Sequence, residues 1–132
     1  MSISSYRELK VWQKGVELTE FVCKSTSAFP TNERFGLTSQ LRRAAVSIPS
    51  NIAEGHARES TKEYLHHISF ALGSIAELET QFVIAGRLGY LTDDLTNKLL
   101  EACEHIGRML RSLQLSLRLK LGRQDHRRDD EI

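Results

Sequence analysis

The sequence predicts an all-α protein, an antiparallel up-down-up-down four-helix bundle. Three observations carry that prediction. Apolar residues recur at steps of three and four along four long segments, the period of one helical face. Short stretches with glycine, proline and capping residues separate the segments. No strand-type alternation competes. Long helices with short links pack as antiparallel neighbours. With 132 residues, 40% of them hydrophobic, the chain fits one domain with a modest core.

The first helix is expected from Tyr6 to Ala28, with Ser5 and Glu8 as a capping box. Leu9, Trp12, Val16, Thr19, Cys23 and Thr26 share one face, and Phe29-Pro30 ends the segment. The second is expected from Asn32 to Glu54, with Thr31 as N-cap and Gly55 as C-terminal glycine. Its core stripe is Leu37, Leu41, Ala44, Ala45, Ile48 and Ile52. Gln40, Arg43, Ser47, Asn51 and Glu54 form a polar stripe, and Val46, Pro49 and Ala53 a small apolar one. Pro49 cannot donate a backbone bond and clashes with the preceding turn, at a cost of about 3 kcal/mol. The helix is therefore expected to kink at Pro49 and remain one element. The Ala45 carbonyl loses its partner there, and Ser47 or Ser50 is expected to help satisfy the backbone.

The third helix is expected from Thr61 to Leu88, capped by Ser60 with Glu63 and stopped by Gly89. Its stripe is Ile68, Leu72, Ile75, Phe82 and Gly86, with Glu79 in the middle. The fourth starts after Thr92, with Asp93 and Asp94 in its first turn, and stops near Gly122. Leu95, Leu99, Ala102, Ile106, Met109, Leu110, Leu113 and Leu117 line its core face. The bundle thus spans 1–122, and 123–132 is a charged, mobile tail.

Several function classes recede at this level. The apolar runs are too short for a membrane span, and the polar start from Met1 to Glu8 does not read as a secretion signal. Cys23 and Cys103 read as reduced core thiols of a cytoplasmic protein. A di-metal bundle centre needs two Glu-x-x-His pairs on facing helices. Glu63 and His66 match once, at a helix end, while Glu101 and Glu104 with His105 place the histidine one position late. Adjacent His66 and His67 diverge by about 100° and cannot chelate together. No serine sits in a nucleophile elbow, and no glycine loop cradles phosphate. No catalytic residue, metal, cofactor or small-molecule substrate is assigned.

Glu79 on an apolar stripe must be paired, since a bare buried carboxylate is costly. An antiparallel pairing of helices two and three brings Gln40 and Arg43 near it, as a structural lock. The net charge is only +1, yet it is uneven. Glu63 to Glu104 holds seven acids and two bases, whereas His105 to Arg128 holds seven bases and one acid. In the bundle, Arg7, Lys10, Lys14, Arg58, Lys62, Arg118, Lys120 and Arg123 collect at one pole and offer charges to phosphate. Phe21, Val46, Ala53, Leu115 and Leu119 point away from the core stripes and suggest a subunit interface.

The chain also resembles the bacterial four-helix-bundle proteins named after reading frames in intervening sequences of 23S ribosomal RNA genes. The resemblance runs from about Tyr6 to Leu117. It rests on Leu9-Lys10-Val11-Trp12-Gln13, on Phe29-Pro30 with Glu33, and on Gly36-Leu37-Thr38-Ser39-Gln40-Leu41-Arg42-Arg43-Ala44-Ala45. It continues in Ser47-Ile48-Pro49-Ser50-Asn51-Ile52-Ala53-Glu54-Gly55 and Gly73-Ser74-Ile75-Ala76-Glu77-Leu78-Glu79-Thr80. It implies a left-handed bundle and a closed ring of five subunits, with no defined catalytic residues. A distant branch that accompanies reverse transcriptases is strongly basic, unlike this chain. The expectation is a cytoplasmic, non-enzymatic oligomer that acts as a scaffold or adaptor in contact with RNA or a ribonucleoprotein. The alternatives are a pure protein-interaction module and a metal or small-ligand enzyme in the bundle core.

Overall fold

The computed structural model describes residues 5–131, with side chains through Arg127. Among the described residues there are four α-helices and no strand: α1 Lys10–Ser25, α2 Leu37–His56, α3 Thr61–Arg87 and α4 Asp93–Glu131. Single turns of 3-10 helix at Tyr6–Glu8 and Thr31–Glu33 precede α1 and α2. The helices meet as α1 with α2, α2 with α3, α3 with α4 and α4 with α1, with no diagonal pair packed together. That is the neighbour pattern of an up-down-up-down bundle.

Local chemistry explains the boundaries. Ser60 Oγ accepts from the Glu63 N–H at 3.2 Å, and Thr92 Oγ1 accepts from the Leu95 N–H at 3.1 Å. Each hydroxyl satisfies a donor the first helical turn leaves free. Gly89 has φ of 79°, and the N–H groups of Gly89 and Tyr90 donate to Gly86 and Ala85. This paired closure needs a left-handed residue after the helix, which glycine supplies cheaply. Ser5 caps only a 3-10 turn, by accepting from the Arg7 N–H, and extended Leu9 separates that turn from α1.

Four expectations need correction. Helix one buries Val11, Gly15, Leu18 and Val22, while Val16 is 39% exposed. The expected face is thus rotated towards the α2 rim, because Gly15 carries no apolar signal although it is a contact point. Helix two begins at Leu37 instead of Asn32, since the chain first spends a 3-10 turn at Thr31–Glu33. Gly55 lies inside the last turn of α2 and does not terminate it. Helix four does not stop at Gly122 but runs to Glu131. One glycine costs only about 1 kcal/mol in a helix, and no proline follows it. Residue 132 and residues 1–4 lie outside the described residues.

The core is one apolar cluster. α2 supplies Leu41, Ala44, Ala45, Ile48 and Ile52, α3 Ile68, Ala71, Ile75, Leu78, Phe82 and Ala85, and α4 Leu99, Cys103, Ile106, Leu110 and Leu117. Among the described residues, α3 alone is long and apolar enough to cross a membrane, contrary to the reading from short apolar runs. Packing against α2 and α4 accounts for only part of that composition, since Phe70, Val83 and Ile84 of α3 are exposed.

Candidate functional site

The Ser47–Gly55 stretch is built into two helix–helix joints. The first joins α1 to α2. α2 continues unbroken through Pro49, which is buried. A β-carbon on Gly15 would lie 3.3 Å from Pro49 Cβ, so the glycine lets the two helices approach closely. Pro49 leaves the Ala45 carbonyl without its helical donor. The hydroxyl of Thr19 reaches that carbonyl at 3.2 Å while also lying 2.9 Å from its own Gly15 carbonyl. The group expected from Ser47 or Ser50 thus comes from the neighbouring helix. Arg42 adds a second tie, with Nε donating to Thr26 Oγ1 at 3.0 Å and a terminal nitrogen donating to the Cys23 carbonyl at 3.4 Å.

The second joint joins α2 to α3. The hydroxyls of Ser47 and Ser74 share a 2.6 Å hydrogen bond. Asn51 Nδ2 donates to the Ser47 carbonyl at 2.8 Å, which leaves Asn51 Oδ1 as the acceptor for His67 Nδ1 at 3.1 Å. That geometry puts the donated proton of His67 on Nδ1. Glu54 Oε2 lies 3.6 Å from the same nitrogen. A β-carbon on Gly55 would fall 2.8 Å from Tyr64 Cδ1 and 2.9 Å from His67 Cβ. Glycine is required there so that α3 can start against the end of α2.

Glu79 does not join this seam. It is half-buried and makes no hydrogen bond or ion pair among the described residues, and Gln40 and Arg43 are exposed. The buried stripe of α3 passes through Leu78 instead, which turns Glu79 towards α4. Its charge acts there on Cys103. Burial, and secondarily Glu79, push that thiol up to about 12. The buried polar residues that the sequence pattern does not reveal are Thr38 and Gln81, the latter with Nε2 donating to Glu77 at 3.3 Å.

The eight proposed phosphate contacts, Arg7, Lys10, Lys14, Arg58, Lys62, Arg118, Lys120 and Arg123, are all exposed. Lys62 lines one cavity with Leu121 and Gln124, so the start of α3 adjoins the end of α4. Glu59 and Asp125 line the same cavity, and this pole is therefore mixed in sign. Lys14 lies beside Ala102 and His105 and pairs with Glu17 at 3.2 Å. Of the expected interface residues, Leu115, Leu119 and Val46 are 59%, 58% and 47% exposed. Phe21 and Ala53 are half-buried.

Among the described residues no three His, Cys, Asp or Glu side chains converge as metal ligands would. Glu63 meets Ser60 at the α3 cap through its backbone N–H, and its side chain is exposed. Fold and surface together define a four-helix bundle with side-chain polar ties at the α1–α2 and α2–α3 joints. The 23S rRNA-intervening sequence protein family matches residues 7–112, and the chain belongs to that family. A solved structure from Bacteroides thetaiotaomicron, described as a protein with unknown function from the S23 ribosomal protein family, shares the fold. It aligns with a TM-score of 0.71 at 21% identity, over 79% of this chain and 97% of that one. No curated protein matches the chain.

Proposed function

We propose that the protein is a non-enzymatic scaffold or adaptor of the bacterial cytoplasm, which assembles into a ring and contacts RNA or a ribonucleoprotein. The observation that carries the reading is the exposed pair Leu115 and Leu119, one turn apart on the outer side of α4. Other exposed apolar residues lie elsewhere, among them Val16 on α1 and Val46 on α2. Two different patches on one subunit suit head-to-tail contacts, which close into a ring when the rotation allows. Five subunits is the number that family resemblance supports.

Point charges at the pole, chiefly Arg118, Lys120 and Arg123, supply salt-sensitive contacts to phosphate. Light scattering at micromolar concentration tests the assembly, and a monomer refutes it. Filter binding of unrelated RNAs at low salt tests the second half. A purely protein-binding adaptor is the competing reading, favoured by the net charge of +1 and by Glu59 and Asp125 at the pole. Absence of RNA binding at low salt decides for it.

A further inference from the structure

An open cavity of about 560 Å³ lies on the outer face of α2 and shares Arg42 and Ser47 with the two helix–helix joints. Arg34, Phe35, Thr38, Ser39, Arg42 and Arg43 line it, with no carboxylate among the lining residues. Phe35 is 90% exposed, the most exposed large apolar side chain described. The guanidinium of Arg34 lies 5.5 Å from the centre of its ring. None of the three arginines forms an ion pair among the described residues. Arg42 is moreover held in place by the neutral acceptors Thr26 Oγ1 and the Cys23 carbonyl, so its charge is fixed and uncompensated. Thr38 is 8% exposed and its hydroxyl has no partner, an unspent hydrogen bond beside the cavity. The carboxylate of Glu33 stands near Gly36 at the helix start, so the helix terminus itself is not counted in the site.

We infer that this cavity binds single-stranded nucleic acid, with a base stacked on Phe35 and adjoining phosphates held by Arg34, Arg42 and Arg43. The inference rests on the RNA reading above and moves the specific contact away from the mixed-sign pole. An exposed ring offers the π-face on which any base stacks, and arginines provide planar donors for phosphate. A duplex hides its base faces and cannot use Phe35. The cavity is open along α2, which suits a strand passing across it more than an enclosed mononucleotide. Val46, which also belongs to the apolar surface proposed for subunit contact, closes the far end, roughly two and a half turns from Leu37.

The test is fluorescence anisotropy with a labelled oligouridylate of about 12 nucleotides, long enough to span one such site. Phe35→Ala should weaken binding about tenfold and leave the salt slope unchanged, because stacking releases no counterion. Arg34→Ala with Arg43→Ala should weaken binding and flatten the slope by roughly 0.7 for each phosphate no longer neutralised. Arg42 is left intact because it ties α1 to α2. An RNA duplex of equal length should show no dependence on Phe35, and uridine monophosphate should compete poorly. Equal binding by the Phe35→Ala and parent proteins overturns the site. If Arg118, Lys120 and Arg123 then carry the affinity, the RNA reading survives without it. No binding by the parent at low salt sinks both. Competition by the monophosphate as strong as by the oligomer refutes a strand as ligand. Light scattering of Phe35→Ala should match the parent, and dissociation would assign the ring to subunit contact instead.

Discussion

Thr19→Val is the sharpest test of how α2 tolerates Pro49. Valine keeps the branched shape of threonine and removes the proton that reaches the Ala45 carbonyl at 3.2 Å. A buried acceptor left unpaired costs about 1–3 kcal/mol. Thr19 is half-buried, and its one proton is shared with the Gly15 carbonyl at 2.9 Å, so the lower end applies, about 1 kcal/mol. The diagnostic is the same change in a Pro49→Ala background. Alanine at 49 restores the N–H that an uninterrupted helix aims at the Ala45 carbonyl, and Thr19 becomes redundant there. The cost should fall to roughly 0.3 kcal/mol or less, a coupling of about 0.7 kcal/mol against a scatter of about 0.3–0.5 kcal/mol for independent sites. Urea unfolding followed by circular dichroism gives both values, at one protein concentration because self-association shifts apparent stability. Equal costs in the two backgrounds would refute the account. So would a Thr19→Val protein as stable as the parent.

Gly55→Ala should destabilise the fold, since the new Cβ meets Tyr64 Cδ1 at 2.8 Å and His67 Cβ at 2.9 Å. Overpacking of about 1–3 kcal/mol outweighs the roughly 0.5–1 kcal/mol that alanine gains in a helix, and a melting temperature at or above the parent's would contradict the close approach. Leu115→Glu with Leu119→Glu should lower the mass seen by light scattering while the helical circular dichroism persists; an intact assembly would move the interface elsewhere. Cys103 is held up to about 12 by burial and then by Glu79, above its ordinary 9.0. Its neutral form stabilises the fold fully below pH 9, and that contribution is lost as pH rises towards about 12. Cys103→Ala should therefore show a shallower alkaline loss of stability than the parent. A thiol reagent at neutral pH should leave Cys103 of the native protein unmodified, because the thiolate is the reacting form.

The bundle and the core face of α2 are legible in the sequence because Leu41, Ala44, Ala45, Ile48 and Ile52 are all apolar, all buried and spaced at one period. The rotation of α1 and α3 is not. In α1 the contact residue Gly15 carries no apolar signal, and in α3 the exposed Phe70, Val83 and Ile84 widen the apolar arc, so periodicity does not locate its centre. In α3 a shift of one residue, from Leu78 to Glu79, changes the expected partner from α4 to α2. Gly15 and Gly55 are invisible as contact residues because a glycine acts through what it lets approach. Phe35 escapes notice because it precedes the helical stripe, where no period marks a side chain as exposed.

The placement of α2 narrows where its function resides. One side of the helix carries Pro49 and Arg42 against α1, another carries Ser47, Asn51 and Gly55 against α3, and a third faces the core. The most distinctive residues of the chain are therefore consumed by architecture. Proline in a helix, a histidine paired with asparagine and two juxtaposed serines resemble chemistry in sequence, but here their polar atoms satisfy one another or the backbone. Only the outer side remains uncommitted, and it carries charge without counter-charge and an aromatic ring without cover. Uncompensated arginines and a bare ring both gain from a ligand that brings phosphate and a stacking face together. The surface open to a ligand is therefore Arg34 and Phe35, just before α2, with Arg43 on it, and the Ser47–Gly55 stretch serves by anchoring α2 to its neighbours.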